Sequence, residues 1–282
     1  MSFFKRLFDF LLFGNIYVAI GAVCLIQSSI IQLGITNHLL FYSALSFFAT
    51  LFIYNLQRIF YSPQTDNSLN SVRRKWIFEN QFSIKLLTAI GFLGVVITFF
   101  FNDYKIVYYL SPLLILSLAY FFPSIKLRQN TWFKLLTLAM VWTMVTAVVP
   151  ALLNRTNSFS INTILHFFVR FIFMIGICIP FDIRDLEIDK KENVFTLSQK
   201  LGENKTRWIA FGFMLLYILL IIAEFSQDMF PMKIFIALTL TAIVNAIIVL
   251  MSSSKRSEYF YTALLDGTMI LQGIVLIAVY YL

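Results

Sequence analysis

Long apolar runs separated by short polar segments constrain this chain more than any other feature of its sequence. The runs fall at about residues 11–34, 38–61, 82–101, 106–122, 133–153, 163–181, 207–225, 231–251 and 259–282. A bilayer-spanning helix needs about 20 mostly apolar residues, and its backbone must satisfy its own hydrogen bonds. The strict alternation that is typical of membrane β-barrels is not present. The sequence therefore predicts an all-α, polytopic membrane bundle of nine transmembrane helices.

The overall composition agrees with this prediction. Of the 282 residues, 60% are hydrophobic and 13% are charged. A soluble domain has about 45–50% apolar and about 25% charged residues, so an ordinary water-soluble enzyme is excluded. We expect one transmembrane helical domain over residues 1–282, as a multi-pass protein of the cell membrane or an inner membrane.

The basic residues predict how the bundle is oriented. If the N-terminus lies in the cytoplasm, sixteen of the 22 Lys and Arg residues fall in cytoplasmic segments and three fall in outer segments. Loops that stay in the cytoplasm carry an excess of Lys and Arg, so the bias predicts a cytoplasmic N-terminus and an outer C-terminus. It also accounts for the net charge of +8. The sequence has no basic arm with interleaved aromatic residues, which is the pattern that would indicate a nucleic-acid partner.

Two polar stretches are candidates for the functional face. They cover residues 62–81 and 182–206, and four predicted spans lie between them. An even number of spans puts both stretches on the same side of the membrane. We therefore expect them to form the mouth of an active site at the cytoplasmic end of the bundle.

The second stretch begins with a group of acidic residues. Asp182, Asp185 and Asp189 have the spacing i, i+3, i+7, which places them on one face of a helix. Carboxylates grouped in this way favour Mg²⁺, which commonly bridges one or two of them to a substrate phosphate. The next residues, Lys190 and Lys191, are suited to bind phosphate oxygens. The same pattern is also typical of a solvated helix with surface salt bridges.

This run resembles a known motif. The pattern Asp182-x-Arg184-Asp185-x-x-x-Asp189, with Thr196-Leu197 and Leu201-Gly202 after it, is similar to the second aspartate-rich motif of the UbiA-type intramembrane prenyltransferases. The nine predicted helices, with the motif after the sixth, also resemble that family. So does the segment Phe122-Pro123-x-x-Lys126, which is similar to the family's Tyr-Pro-x-x-Lys.

The resemblance implies a UbiA-like fold and a function. Such a protein transfers a prenyl group from a prenyl diphosphate to a hydrophobic acceptor, often an aromatic one, with Mg²⁺ on the diphosphate. The implied metal ligands are Asp182, Asp185 and Asp189, of which Asp185 and Asp189 would also be catalytic. The expected substrate contacts are Asn15, Asn55, Lys126, Arg184 and Lys190.

The family's first motif, after the second span, is largely replaced. Of its pattern N-D-x-x-D-x-x-x-D only Asn55 remains, and the metal-binding positions hold Ile59 and Pro63. Arg58 adds a cation beside the lost ligand position, and arginine binds phosphate oxygens without a metal. We therefore expect a site with one magnesium ion in which Arg58, as a catalytic residue, replaces the other ion.

Two other functions stay open at the level of sequence. A non-catalytic family member that binds an isoprenoid lipid or a membrane partner would explain the lost first motif. A transporter for a small anionic or lipidic solute is the other alternative, although broken helices near the membrane midplane, which are typical of transporters, are few.

Overall fold

Helices make up the regular secondary structure of the described residues. The computed structural model describes residues 3–36, 39–60, 71–121, 131–154, 160–191 and 195–282. The helices are α1 (Phe3–Phe13), α2 (Ile16–Gln32), α3 (Leu40–Phe60), α4 (Val72–Glu79), α5 (Gln81–Phe99), α6 (Ile106–Phe121), α7 (Thr131–Thr143), α8 (Val149–Leu153), α9 (Ile161–Arg184), α10 (Leu186–Lys191), α11 (Leu197–Ser226), α12 (Met232–Leu250) and α13 (Gly267–Tyr281). π-Helical segments join α7 to α8 (Met144–Val148) and precede α13 (Phe260–Leu265).

Seven helical segments in the described residues are individually long and apolar enough to cross a membrane. They are Leu40–Phe60, Gln81–Phe99, Trp132–Leu153, Ile161–Arg184, Leu197–Ser226, Met232–Leu250 and Phe260–Tyr281. The pair α1 and α2, bent by 59°, makes an eighth candidate, and Ile106–Tyr120 is apolar but shorter. The protein is thus a multi-pass α-helical membrane protein, whereas nine spans and the cytoplasmic N-terminus stay predictions.

Small residues let some of the helices pack with their backbones close together, as is common in membrane bundles. A Cβ atom added to Gly273 of α13 would lie 2.4 Å from the Cβ of Cys24 in α2. Likewise, one added to Gly91 of α5 would lie 2.7 Å from the backbone nitrogen of Phe52 in α3. Cys24 is a buried core residue with a free thiol, as its apolar surroundings in the sequence indicate.

A buried polar network joins α2, α9 and α11. His166 contacts Glu224 through Nδ1 at 2.7 Å and Ser29 through Nε2 at 2.9 Å. Arg170 donates to the Ser29 hydroxyl at 3.1 Å and to the Leu25 carbonyl at 3.3 Å. All of these side chains are almost fully buried. Since Arg170 precedes Asp182 by 12 residues, about 18 Å of helix separates this network from the aspartates.

Glu224 is the carboxylate of this network, and we expect its removal to lower the stability of the protein. Glu224→Leu removes the carboxylate that His166 contacts at 2.7 Å and leaves a buried polar group without its partner, so we expect the protein to lose about 1–3 kcal/mol of stability. Unfolding by SDS in mixed micelles measures this loss. Glu79→Leu, which removes an exposed partner of Lys75, is the control and should cost at most about 0.5 kcal/mol. Equal stability of the two variants would contradict a stabilising role of the network.

Orientation can be tested with two exposed positions at the ends of different loops. In a chain whose Cys24 and Cys178 are replaced by Ala, we expect Lys105→Cys to react with an impermeant maleimide from outside. Lys255→Cys should react only after the membrane is permeabilised, because positive residues are retained in the cytoplasm. The reverse labelling pattern would show that the bundle has the opposite orientation.

Candidate active site

A cavity of about 610 Å³ opens at one end of the bundle. Its lining has two parts. The charged end, as we call it, consists of Arg58, Arg73, Arg74, Lys134, Asp182, Arg184, Asp185 and Asp266. The apolar wall includes Val18, Ala22, Leu110, Leu135, Leu138, Val141, Met174, Ile177 and Met269, with the aromatic side chains of Tyr54, Tyr120, Trp142 and Phe181. The cavity therefore suits an elongated molecule with an anionic head and an apolar tail.

The aspartates lie where α9 ends. Asp182 belongs to the last turn of α9, Asp185 is the residue at its C-cap, and Asp189 lies in α10. The Ser198 hydroxyl of α11 donates to the Asp182 carbonyl at 2.6 Å, which satisfies a carbonyl that the helix end leaves without an intrahelical partner. The expected single helical face over the three aspartates is thus interrupted at Asp185.

The residues that follow the aspartates in the motif have structural roles. Thr196 is fully buried, and its hydroxyl lies 3.2 Å from that of Ser198. Gly202 has φ of +79° and forms a kink within α11, a conformation that residues other than glycine rarely adopt. The stretch 182–206, expected as a loop, therefore consists largely of helix ends in its described part.

One lysine connects two of the three aspartates. Lys134, near the start of α7, donates to Asp182 at 2.7 Å and contacts Asp189 at 3.5 Å. The side chains of these residues are 12%, 6% and 1% exposed, respectively. Two buried carboxylates that face the same position need a cation between them, and the ammonium of Lys134 supplies it.

Asp185 has different partners. Arg184 binds it through two hydrogen bonds of 2.8 Å, from Nε to Oδ1 and from Nη2 to Oδ2, and Arg73 contacts it at 3.5 Å. Burial by itself would raise the pKa of Asp185, but the charges of Arg184, Arg73 and Lys134 lower it well below its usual range. Asp185 is therefore ionised and holds the two guanidinium groups in place.

Glu258, in the segment before α13, completes this cluster. It lies 3.6 Å from Arg73 and 4.0 Å from Arg184. The Arg184 guanidinium also lies over the ring of Phe181, at 4.7 Å from the ring centre. Burial and the neighbouring charge of Arg184 lower the pKa of Arg73, and Glu258 and Asp185 oppose this shift. A bound anion would therefore stabilise the charged form of Arg73.

Arg58 differs from the other arginines of the charged end. It lies in the last turn of α3 and lines the cavity, and within the described ranges it has neither an ion pair nor a hydrogen bond. The charges of Arg73 and Arg184 repel it, and those of Asp185 and Glu258 attract it. Asp266 lines the same cavity, but no ion pair joins it to Arg58. Arg58 is thus a cation that is available to a ligand.

Asn15 and Asn55 are brought together, but Asn55 is used within the protein. Its amide nitrogen donates to the carbonyls of Gly14 at 3.0 Å and Leu51 at 2.9 Å, and its oxygen accepts from Asn15 at 3.0 Å. Asn15 has φ of +62° at the bend between α1 and α2 and lines the cavity. Both amide hydrogens of Asn55 are therefore occupied, so the structure gives Asn55 a role in fixing the bend.

One of the two predicted lysine contacts, Lys190, does not line the cavity. Lys190 is exposed and pairs with Glu187 at 3.3 Å. Lys126 lies outside the described residues, as do residues 62–70 of the polar stretch 62–81. The described part of that stretch includes α4 with Arg73. Sequence reasoning did not single out Lys134 or Glu258. Lys134 could have been identified as a cation just inside the apolar run 133–153, because ionisable residues within membrane spans are commonly functional.

Solved structures with a similar fold support this description of the bundle. A UbiA homologue from Archaeoglobus fulgidus bound to GPP and Mg²⁺ has a TM-score of 0.67 and 13% identity, over 97% of this chain and 100% of the other. The apo structure of a UbiA homologue from Aeropyrum pernix K1 has a TM-score of 0.66 and 16% identity, over 95% and 96%. A digeranylgeranylglyceryl phosphate synthase structure has a TM-score of 0.59 and 17% identity, over 98% of both chains.

The sequence itself provides the assignment to a family. No curated protein matches the chain. The family model described as "UbiA prenyltransferase family" matches residues 79–266, which is more than half of the chain and includes the three aspartates. The chain therefore belongs to the UbiA prenyltransferase family.

Proposed function

We propose that this protein binds a prenyl diphosphate in the cavity and transfers its prenyl group to a hydrophobic acceptor, either aromatic or lipid. The observation that carries the proposal is Arg58, a cation that has no ion-pair partner among the described residues, at the charged end of a cavity whose other wall is apolar. Membership of the family supports it, as does a homologue of the same fold bound to GPP and Mg²⁺.

The charged end would hold the diphosphate. Arginine binds phosphate oxygens through two parallel hydrogen bonds, which suits Arg58 and the cavity-facing Arg73. The bond between the prenyl carbon and the diphosphate oxygen breaks, and its electron pair leaves with the diphosphate. Fixed cations stabilise the negative charge that develops in this step. Asp182 and Asp185 would act by holding Lys134 and Arg184 in position.

The apolar wall would hold the prenyl chain and the allylic cation. Aromatic faces attract cations, and Tyr54, Tyr120 and Trp142 line the cavity. Trp142 donates a hydrogen bond of 2.9 Å to the Tyr54 hydroxyl, which fixes both rings. The acceptor forms a bond to the prenyl carbon and releases a proton. Asn15, at the wall, and Lys126 and Lys190 stay predicted substrate contacts.

Magnesium is supported for proteins of this fold by the homologue bound to GPP and Mg²⁺. The residues of this chain do not fit the expected single ion shared by three aspartates. Lys134 lies between Asp182 and Asp189, and Arg184 uses both oxygens of Asp185. Within the described ranges, no three His, Cys, Asp or Glu side chains converge on a metal position.

A second candidate function is binding of an isoprenoid diphosphate without transfer. Ile59 at a metal-ligand position of the first motif favours it, because an isoleucine side chain offers no ligand atom. The two functions differ in one product. Incubation of the purified protein with prenyl diphosphates of several lengths and with candidate acceptors releases diphosphate only if transfer or ionisation takes place.

The role of Arg58 can be measured by binding. Arg58→Ala should weaken the binding of radiolabelled GPP by about 1.5–3 kcal/mol, the range for a hydrogen bond to a charged group, or about 10- to 150-fold in Kd. Arg58→Lys should restore only part of the loss, because lysine lacks the planar fork of donors.

Arg256→Ala provides the matched control for this experiment. Arg256 lies at the same end of the bundle but is exposed and does not line the cavity. Its loss should leave GPP binding within about twofold of the parent protein, since exposed charges contribute little. If Arg58→Ala binds GPP as tightly as Arg256→Ala does, Arg58 has no part in the site.

A further inference from the structure

We propose that Lys134 takes the place of the divalent cation at the second-motif aspartates, so that this protein binds prenyl diphosphate without magnesium. This inference rests on the proposed function, because it concerns how the same site holds the diphosphate. It differs from the expectation of one magnesium ion, since here the chain itself provides the positive charge.

The first argument is the position of the ammonium group. Lys134 Nζ lies 2.7 Å from an oxygen of Asp182 and 3.5 Å from an oxygen of Asp189. A magnesium ion bound by the same carboxylates would need oxygen ligands at about 2.0–2.1 Å in an octahedral arrangement. The ion and the ammonium would compete for the same oxygens, and their positive charges would repel each other.

The second argument is that the other expected ligands are also occupied or lost. Both oxygens of Asp185 accept hydrogen bonds from Arg184, and Arg73 contacts the same carboxylate. Ile59 replaces an aspartate of the first motif. Each described position at which the sequence places a metal ligand therefore carries either a paired carboxylate or an apolar side chain.

The third argument is the balance of charge. Lys134 neutralises part of the charge of Asp182 and Asp189, whereas Arg184 and Arg73 share Asp185 and Glu258. Arg58 adds a cation with no described partner at the cavity surface. A diphosphate therefore meets guanidinium groups directly, and arginine needs no metal to bind phosphate oxygens.

The test compares GPP binding in EDTA with binding in excess Mg²⁺, using the purified full-length protein in detergent. We expect the two dissociation constants to agree within about threefold, because no ion is part of the site. Binding that requires Mg²⁺ would overturn this inference and leave the proposed function standing. Absence of binding in both conditions would overturn the proposed function and the inference with it.

A substitution tests the lysine itself. Lys134→Met keeps much of the side-chain volume and removes the charge, so Asp182 and Asp189 lose the cation between them and a metal ion can take its place. We expect GPP binding in EDTA to weaken by at least about tenfold, and Mg²⁺ to restore it. Lys200→Met is the control, because Lys200 is an exposed lysine at the start of α11. If Lys134→Met binds GPP in EDTA as well as Lys200→Met does, Lys134 does not replace a metal.

Metal binding can be observed without any substrate. Electron paramagnetic resonance of added Mn²⁺ should show no ion bound to the parent protein and one ion bound to Lys134→Met. A bound ion in the parent protein would overturn the inference. Because this measurement on the parent protein decides the question by itself, the inference can be refuted even if Lys134→Met fails to fold.

Discussion

The structure at the charged end of the bundle depends on the pairing of Lys134 with Asp182 and Asp189. Charges that are removed from water are stable only with partners of opposite sign, and these two carboxylates are almost fully buried. The lysine connects the start of α7 to the end of α9 and to α10. It therefore fixes the relative positions of the helix ends that frame the mouth of the cavity.

The remaining charges follow from this arrangement. Asp185, the residue that follows the end of α9, accepts both hydrogen bonds from Arg184. Glu258 and Arg73 extend the cluster toward α4 and the start of the last span. Arg58 is left facing the cavity. The result is a set of fixed cations beside an apolar wall, which is the combination that a prenyl diphosphate requires.

The second buried polar group of the bundle has a different chemical character. His166 and Arg170 bond to serine and backbone oxygens of α2, and Glu224 contacts His166. All three lie outside the lining of the large cavity. Such networks hold helices together in a membrane, where the lipid is as apolar as the helix surfaces and interhelical hydrogen bonds contribute to association. Buried polar and charged residues thus serve two purposes here. The network around His166 holds spans together, and the charged end faces an open cavity.

The sequence by itself determined the helices, the membrane class and the family. Apolar runs and the pattern around Asp182 are local features, and local hydrogen bonding and burial in lipid are enough to turn them into helices. The tertiary structure alone decided the partners of the charged groups. Lys134 lies 48 and 55 residues from the aspartates that it contacts, and Asn55 lies 41 residues from the Gly14 carbonyl. Spacing along one segment predicts a shared helix face, but it does not indicate which side chain of another helix packs against that face. That choice depends on how the helices pack, and here it placed a lysine where the sequence predicted a metal ion.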